Sequence, residues 1–333
     1  MKPIKHALWM ALLLSACGGN PFLVDNGDVG NGPPGTEGPV GSKGSAITRT
    51  EKTVKASGKD YGNGFAEGFV YNEADDTFSV DGLAFDGANV YQRGTTVSDI
   101  GPFQVYEGDS TYTDGVTGAN IDQDAYRAIY GASTNGKTSF AIVRTGSYVP
   151  YGFGGFIYSR SGGVTLPASS PAGQFAHYDG AYAGLRDFNG TGGLEYVTGD
   201  MAVDINFDDF NDGAGVRGEV TNRAIFDIDN TDITQDVIDA INVEYGTALD
   251  ALPTLVFAVG PGALKETGEA SGSLGSRVGT DTFETGKYYA LIANTDDINA
   301  GEVVGVIVVE SPDPRTDFDG VTTRETGGFI LYR

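Results

Sequence analysis

The sequence predicts an all-β protein whose second half is an antiparallel barrel, and three observations point there. Glycine is abundant, at 51 of 333 residues, and aromatic residues make up 11% of the chain. Apolar residues recur in short alternating runs bounded by turn signals, not in long helical periods. A hydrophobic content of 40% is enough to build a core.

Taken in order, residues 1–16 read as a secretory signal. Lys2, Lys5 and His6 are followed by an apolar run, Ala7 to Leu14, far too short to cross a bilayer. Leu14-Ser15-Ala16-Cys17 then resembles the bacterial lipobox. The resemblance implies cleavage before Cys17, a diacylglyceryl thioether on its sulfur and an acylated amine. Three acyl chains exceed the roughly two signals that stable anchoring needs. Gly18 stands where an inner-membrane retention signal would carry aspartate, which favours the outer membrane. Residues 17–58 read as the lipidated cysteine and a flexible tether, because the stretch after Cys17 is Gly, Pro, Asn and Asp with little to bury. Its glycines lack the three-residue period of collagen.

Residues 59–165 form a β-rich unit. Runs such as Gly64–Tyr71, Thr77–Val80, Asn89–Gln92, Gly101–Tyr106, Ala125–Tyr130 and Thr138–Arg144 alternate between turns that include Asp81-Gly82 and Asn135-Gly136. Gly152–Tyr158, rich in glycine and aromatics, reads as rings packed over strand glycines. A break at Ser159–Gln174, with Gly162-Gly163, Pro167 and Pro171, joins this unit to residues 175–333.

There the strands continue through Ala176–Leu185, Leu194–Phe207 (Met201, Val203, Ile205 and Phe207 on one face), Val216–Arg223, Leu255–Val259, Tyr288–Ala293, Val303–Val309 and Gly328–Tyr332. Strands at this spacing, each with an apolar face, suit a closed or nearly closed antiparallel barrel. One helix begins near Asp232: Val237, Ile238, Ile241 and Tyr245 recur at three to four residues, and Pro253 stops it. Its expected role is to cover one end or side of the barrel.

The opening Ala181-Tyr182-Ala183-Gly184, the strand ending Val203-Asp204-Ile205-Asn206-Phe207, Val216-x-Gly218-x-Val220 and the closing Gly327-Gly328-Phe329 together resemble the β-barrel domain of transferrin-binding protein B and its surface-lipoprotein relatives. The resemblance covers about 175–333. It implies an eight-stranded barrel preceded by a small β-rich handle, here 59–165, on a lipid-anchored tether. The family's full protein has two such lobes, and this chain has length for one.

Composition narrows the function. The formal charge of −24 opposes nucleic-acid binding and adsorption to anionic lipid. Cys17 is the only cysteine, so an internal disulfide and a thiolate metal cluster are excluded. After removal of His6 only His177 remains, with no GxSxG elbow, and it reads as a structural or surface residue. No catalytic residue and no cofactor beyond the lipid on Cys17 is expected. The weak calcium candidates are Asp208, Asp209 and Asn211 in one acidic turn and Asp227 and Asp229 in another; neither turn follows the EF-hand order. Asp204, Asp208 and Asp209 are the carboxylates that a glycosidase would use. The expected function is an outer-membrane-anchored, non-enzymatic binding protein on the cell surface, for a host protein or an iron- or haem-bearing solute. A structural envelope lipoprotein is the alternative, and a carboxylate-dependent glycosidase the remoter one.

Overall fold

The computed structural model describes residues 36–39, 41–52, 66–83, 86–122, 125–146, 151–166, 175–207, 215–260, 263–297 and 300–333. Cys17, Asp208, Asp209 and Asn211 lie outside them. Among the described residues the fold is all-β: a ten-stranded antiparallel sheet, a closed eight-stranded antiparallel barrel, a two-stranded hairpin and one α-helix.

The sheet contains β1 (Thr36–Glu37), β2 (Ile47–Glu51), β3 (Gly68–Asn72), β4 (Thr77–Asp81), β5 (Val90–Arg93), β6 (Asp99–Ile100), β7 (Phe103–Glu107), β10 (Tyr126–Ala132), β11 (Thr138–Thr145) and β12 (Gly154–Arg160). Its order is β1-β2-β12-β11-β10-β7-β5-β4-β3, with β6 on β7. Strands β8 (Thr111–Thr113) and β9 (Asn120–Asp122) form the separate hairpin between β7 and β10. The sheet curls on itself. Phe78 of β4 lies 5.8 Å from Tyr130 of β10, although β5 and β7 stand between their strands. In a flat sheet the same strands would be about 14 Å apart. Phe69, Phe78, Tyr91, Tyr106, Tyr126 and Tyr130 fill the concave side.

The barrel runs β13 (Phe175–Asn189), β14 (Glu195–Asn206), β15 (Val216–Asp227), β16 (Leu255–Phe257), β17 (Glu269–Val278), β18 (Asp281–Asp297), β19 (Ala300–Pro312) and β20 (Thr322–Tyr332), which closes on β13. The sequence reading omits β17, because Glu-Ala-Ser-Gly-Ser-Leu-Gly-Ser carries no apolar alternation. The barrel needs small residues there: a Cβ on Gly272 would come within 2.7 Å of the Tyr288 ring. Strands β1 and β2 fall within 17–58, the stretch that reads as tether. Polar Thr and Arg positions mask β2, whose Ile47, Arg49 and Glu51 are buried. Arg49 donates to Glu269 of β17 from Nε at 2.8 Å and from Nη2 at 2.6 Å.

Two faces of the barrel wall are buried. Inside lie Val203, Ile205, Val220, Leu255, Phe257, Leu274, Tyr288, Val303, Ile307 and Phe329. Outside, Ala183, Leu185, Tyr196, Val304, Val306, Val308 and Ile330 pack on Phe103, Val105, Ile129, Phe140, Ile142 and Phe156 of the sheet. The neighbours Gly327 and Gly328 serve both cores. A Cβ on Gly327 would meet the Tyr182 ring inside at 2.1 Å, and one on Gly328 would meet the Phe140 ring outside at 2.2 Å. Helix α1 (Thr234–Tyr245) buries Val237, Ile238 and Ile241 against the barrel core and ends at Gly246, in the left-handed conformation with φ 63°. Tyr245 meets Phe283 edge-on at 5.8 Å. No helix among the described residues is long and apolar enough to cross a membrane.

Charged residues fill the end of the barrel beneath the helix. A bulge in β15 at Asn222, with φ 50°, inserts one residue so that both Val220 and Arg223 face inward. Arg223 donates to Glu284 at 2.7 and 2.9 Å and to Glu325 at 2.7 Å, while Tyr182 donates to Glu325 at 2.8 Å. Arg186 pairs with Glu195, which also accepts from Arg315 at 2.5 Å. With these partners the buried charges are compensated.

Gly328→Ala should overpack the contact with Phe140 and destabilise the protein by about 1–3 kcal/mol. Gly44→Ala, where an added Cβ meets nothing within 4 Å, should change stability by less than about 0.5 kcal/mol. Urea denaturation midpoints of the two variants check this.

Candidate binding surface

At the barrel end opposite the ionic cluster, β13, β14 and β15 align three polar side chains. The strand register sets His177 opposite Asp204, and Asp204 opposite Arg217. All three occupy the outward face, since Tyr178, Val203 and Val216 beside them point into the core. His177 Nδ1 lies 2.7 Å from Asp204 Oδ1. Arg217 donates to Asp204 Oδ2 from Nη2 at 2.6 Å and from Nε at 3.2 Å. Partial burial pushes the Asp204 carboxyl up, but the hydrogen bonds from Arg217 and His177 and their charges outweigh it and hold the group below its ordinary range.

This row floors an open cleft of about 760 Å3 at the rim, lined by Phe175, His177, Asp204, Arg217, Val259 and Arg333, among others. Arg333 Nη2 donates to the Phe175 carbonyl at 2.9 Å. Phe175 is 64% exposed, and Val256 and Val259 are exposed close by. An aromatic ring, two arginines and an oriented imidazole on a rigid wall can contact a ligand's apolar surface and hydrogen-bond its polar groups. A second exposed apolar group, Tyr112, Val116 and Ile121, sits on the β8–β9 hairpin. That hairpin springs from the end of the sheet where Gly193, in the β13–β14 turn, donates to the Gly146 carbonyl, so it lies at the other end of the molecule.

Of the residues singled out by sequence, Asp204 and His177 are brought together, although sequence links Asp204 with Asp208 and Asp209. Asp204, held charged by two basic partners, is poorly suited to donate a proton as a general acid. Asp227 and Asp229 are described: the Asp227 carboxylate accepts from the backbone amides of Asp229 at 2.9 Å and Thr231 at 2.7 Å, which stabilises the turn before α1. Among the described residues no three His, Cys, Asp or Glu side chains gather as metal ligands. Sequence reasoning passes over Phe175, Arg217 and Arg333 as site residues, because only the strand register brings them to one rim.

No protein-family model and no curated protein matches the sequence. Solved structures do resemble the chain. A double mutant of transferrin binding protein B from Haemophilus parasuis aligns at 9% identity and TM-score 0.37, covering 80% of this chain and 44% of that one. Intact Ap-TbpB, with N and C lobes, aligns at 10% identity and TM-score 0.33, covering 78% and 45%. A single mutant of the Haemophilus parasuis protein aligns at 12% identity and TM-score 0.31, covering 87% and 59%. The chain spans about half the length of these proteins.

In a carboxyl-carbon NMR titration, Asp204 should titrate below the ordinary aspartate range, and Arg217→Ala should move its midpoint upward. An unchanged midpoint would mean that the hydrogen bonds from Arg217 do not hold the row together.

Proposed function

We propose that this chain is a non-enzymatic binding protein, tethered to the outer membrane by lipid on Cys17. In this reading the barrel is the scaffold, and the rim cleft contacts a host protein or an iron- or haem-bearing solute. The observation that carries the reading is the filled barrel. Aromatic and aliphatic side chains occupy one part of its interior and the Arg223–Glu284–Glu325 cluster the other. An eight-stranded barrel has room for either side chains or one small ligand, and here the side chains take that room. Recognition therefore falls to the outside, where the cleft offers exposed Phe175 beside Arg217 and Arg333. The Asp204–His177 pair has the carboxylate–imidazole arrangement that orients metal-ligating histidines, which supports the iron- or haem-bearing class. The lipobox-like Leu14–Cys17 supports the anchor, and the acidic surface suits exposure to water.

The test uses cells displaying the full chain, exposed to host or environmental fluid, washed, and assayed for retained protein, iron and haem. The wild type should retain a defined ligand, and a Phe175→Ser/Arg217→Glu variant should lose at least about tenfold in affinity, as expected when a contact centre is removed. Val116→Ser on the distant hairpin should retain it. No retention by the wild type, or equal retention by the cleft variant, contradicts the reading. Separately, Cys17→Ala should abolish acyl labelling and release the protein from the membrane fraction; undiminished membrane retention would contradict the anchor.

A further inference from the structure

The seam between sheet and barrel holds more carboxylates than it can pair. On the barrel wall the strand register sets Asp187 of β13 opposite Arg324 of β20, and Arg324 opposite Glu310 of β19. From the sheet, Arg144 of β11 and Glu51 of β2 enter the same space. Arg324 donates to Glu310 Oε1 from Nε at 2.9 Å and from Nη2 at 2.7 Å, and its guanidinium lies 3.8 Å from the centre of the Tyr151 ring. Arg144 donates from Nη2 to Glu51 Oε2 and to Thr326 Oγ1, both at 2.9 Å. Two guanidinium groups thus face three carboxylates, and both direct their hydrogen bonds to partners other than Asp187.

Asp187 is the surplus acid. It is 1% exposed, and apart from its own backbone amide neither oxygen has a hydrogen-bond donor among the described residues. The Arg144 Nε lies 3.7 Å from Oδ2, beyond hydrogen-bond reach, and is itself unsatisfied. An ionised carboxylate buried without hydrogen bonds destabilises the packing around it. A neutral carboxyl removes that burden and leaves two arginines matched to Glu51 and Glu310.

We propose that this seam is a proton-operated clasp: Asp187 takes up one proton as the surroundings turn from neutral to mildly acidic, and the sheet then grips the barrel more tightly. Burial pushes the Asp187 carboxyl up; Arg144 and Arg324 pull it back and Glu51 raises it, leaving it at about 6. If the sheet lifts away, water reaches the group and it returns toward its ordinary value of 3.8. The docked state therefore holds the proton more tightly. Docking strengthens as pH falls through 6 and gains nothing further below 3.8. A shift of about two units corresponds to about a hundredfold in the docking equilibrium. The clasp does not depend on which ligand the rim cleft takes.

The experiment follows the Asp187 carboxyl carbon by NMR in the full chain, together with hydrogen exchange at the amides of residues 140–145, corrected for intrinsic rates. Wild type should titrate near 6, and seam protection should rise by about tenfold between pH 7.5 and pH 5. Asp187→Asn, a neutral stand-in for the protonated acid, should already be protected at pH 7.5 and show little pH dependence. Glu51→Gln keeps an acceptor for Arg144 but removes a negative charge, so it should lower the Asp187 midpoint; this variant keeps the test open if Asp187→Asn does not fold. A wild-type midpoint at or below the ordinary aspartate value overturns the proposal. So does an Asp187→Asn seam less protected than wild type at pH 7.5, or an Asp187 midpoint that Glu51→Gln leaves in place.

Discussion

The structure depends on one constraint: barrel strands β19 and β20 and the second half of β13, from Tyr182 to Phe188, are buried on both faces. A strand in an ordinary barrel has one face in the core and the other in water. Here Val303, Ile307 and Val309 point into the barrel while Val304, Val306 and Val308 meet the sheet. Every second residue is thus committed to a different core, and a register slip of one position would misplace both sets at once. The glycine pair 327–328 is the sharpest expression of this, since a methyl group on either would strike an aromatic ring on its own side of the wall. Burial on both faces also explains why the seam carries charge: Arg144, Asp187 and Arg324 reach into a layer from which water is largely excluded.

Filling the interior has its own consequence. The Asn222 bulge turns Arg223 inward, where Glu284, Glu325 and Tyr182 surround it. Such a cluster adds little net stability over an apolar core but is costly to break, because removing one partner leaves a buried charge uncompensated. It occupies space that a ligand would otherwise take and leaves recognition to the rim. There the side chains that are exposed, Phe175 and Arg217, are backed by strands that cannot readily shift.

Much of the fold is legible in the sequence. The runs at 77–80, 125–130, 138–144, 194–207 and 303–309 alternate or stay apolar strongly enough to mark strands, and Val237, Ile238 and Ile241 mark the helix. What escapes has physical reasons. Strand β17 is hidden by glycine and serine, which fit beneath Tyr288 and Glu284. Strand β2 is hidden by Arg49 and Glu51, whose burial depends on partners far along the chain. The continuous run Val303–Val309 does carry the signal of burial on both faces, in its lack of alternation, yet it reads as a strand with one apolar face. The rim site is barely legible: His177, Asp204 and Arg217 become neighbours only through a register that sequence does not specify. Residues 27 and 13 positions apart on paper are in contact across the strands.

Sheet and barrel fold as one unit because they share the double-faced wall. Scanning calorimetry of the chain lacking the lipid measures this most directly. One transition is expected, with agreeing calorimetric and van't Hoff enthalpies, because exposing Val304, Val306, Val308 and Phe140 would undo both halves together. Two resolved transitions, with the barrel melting independently of the sheet, would contradict it.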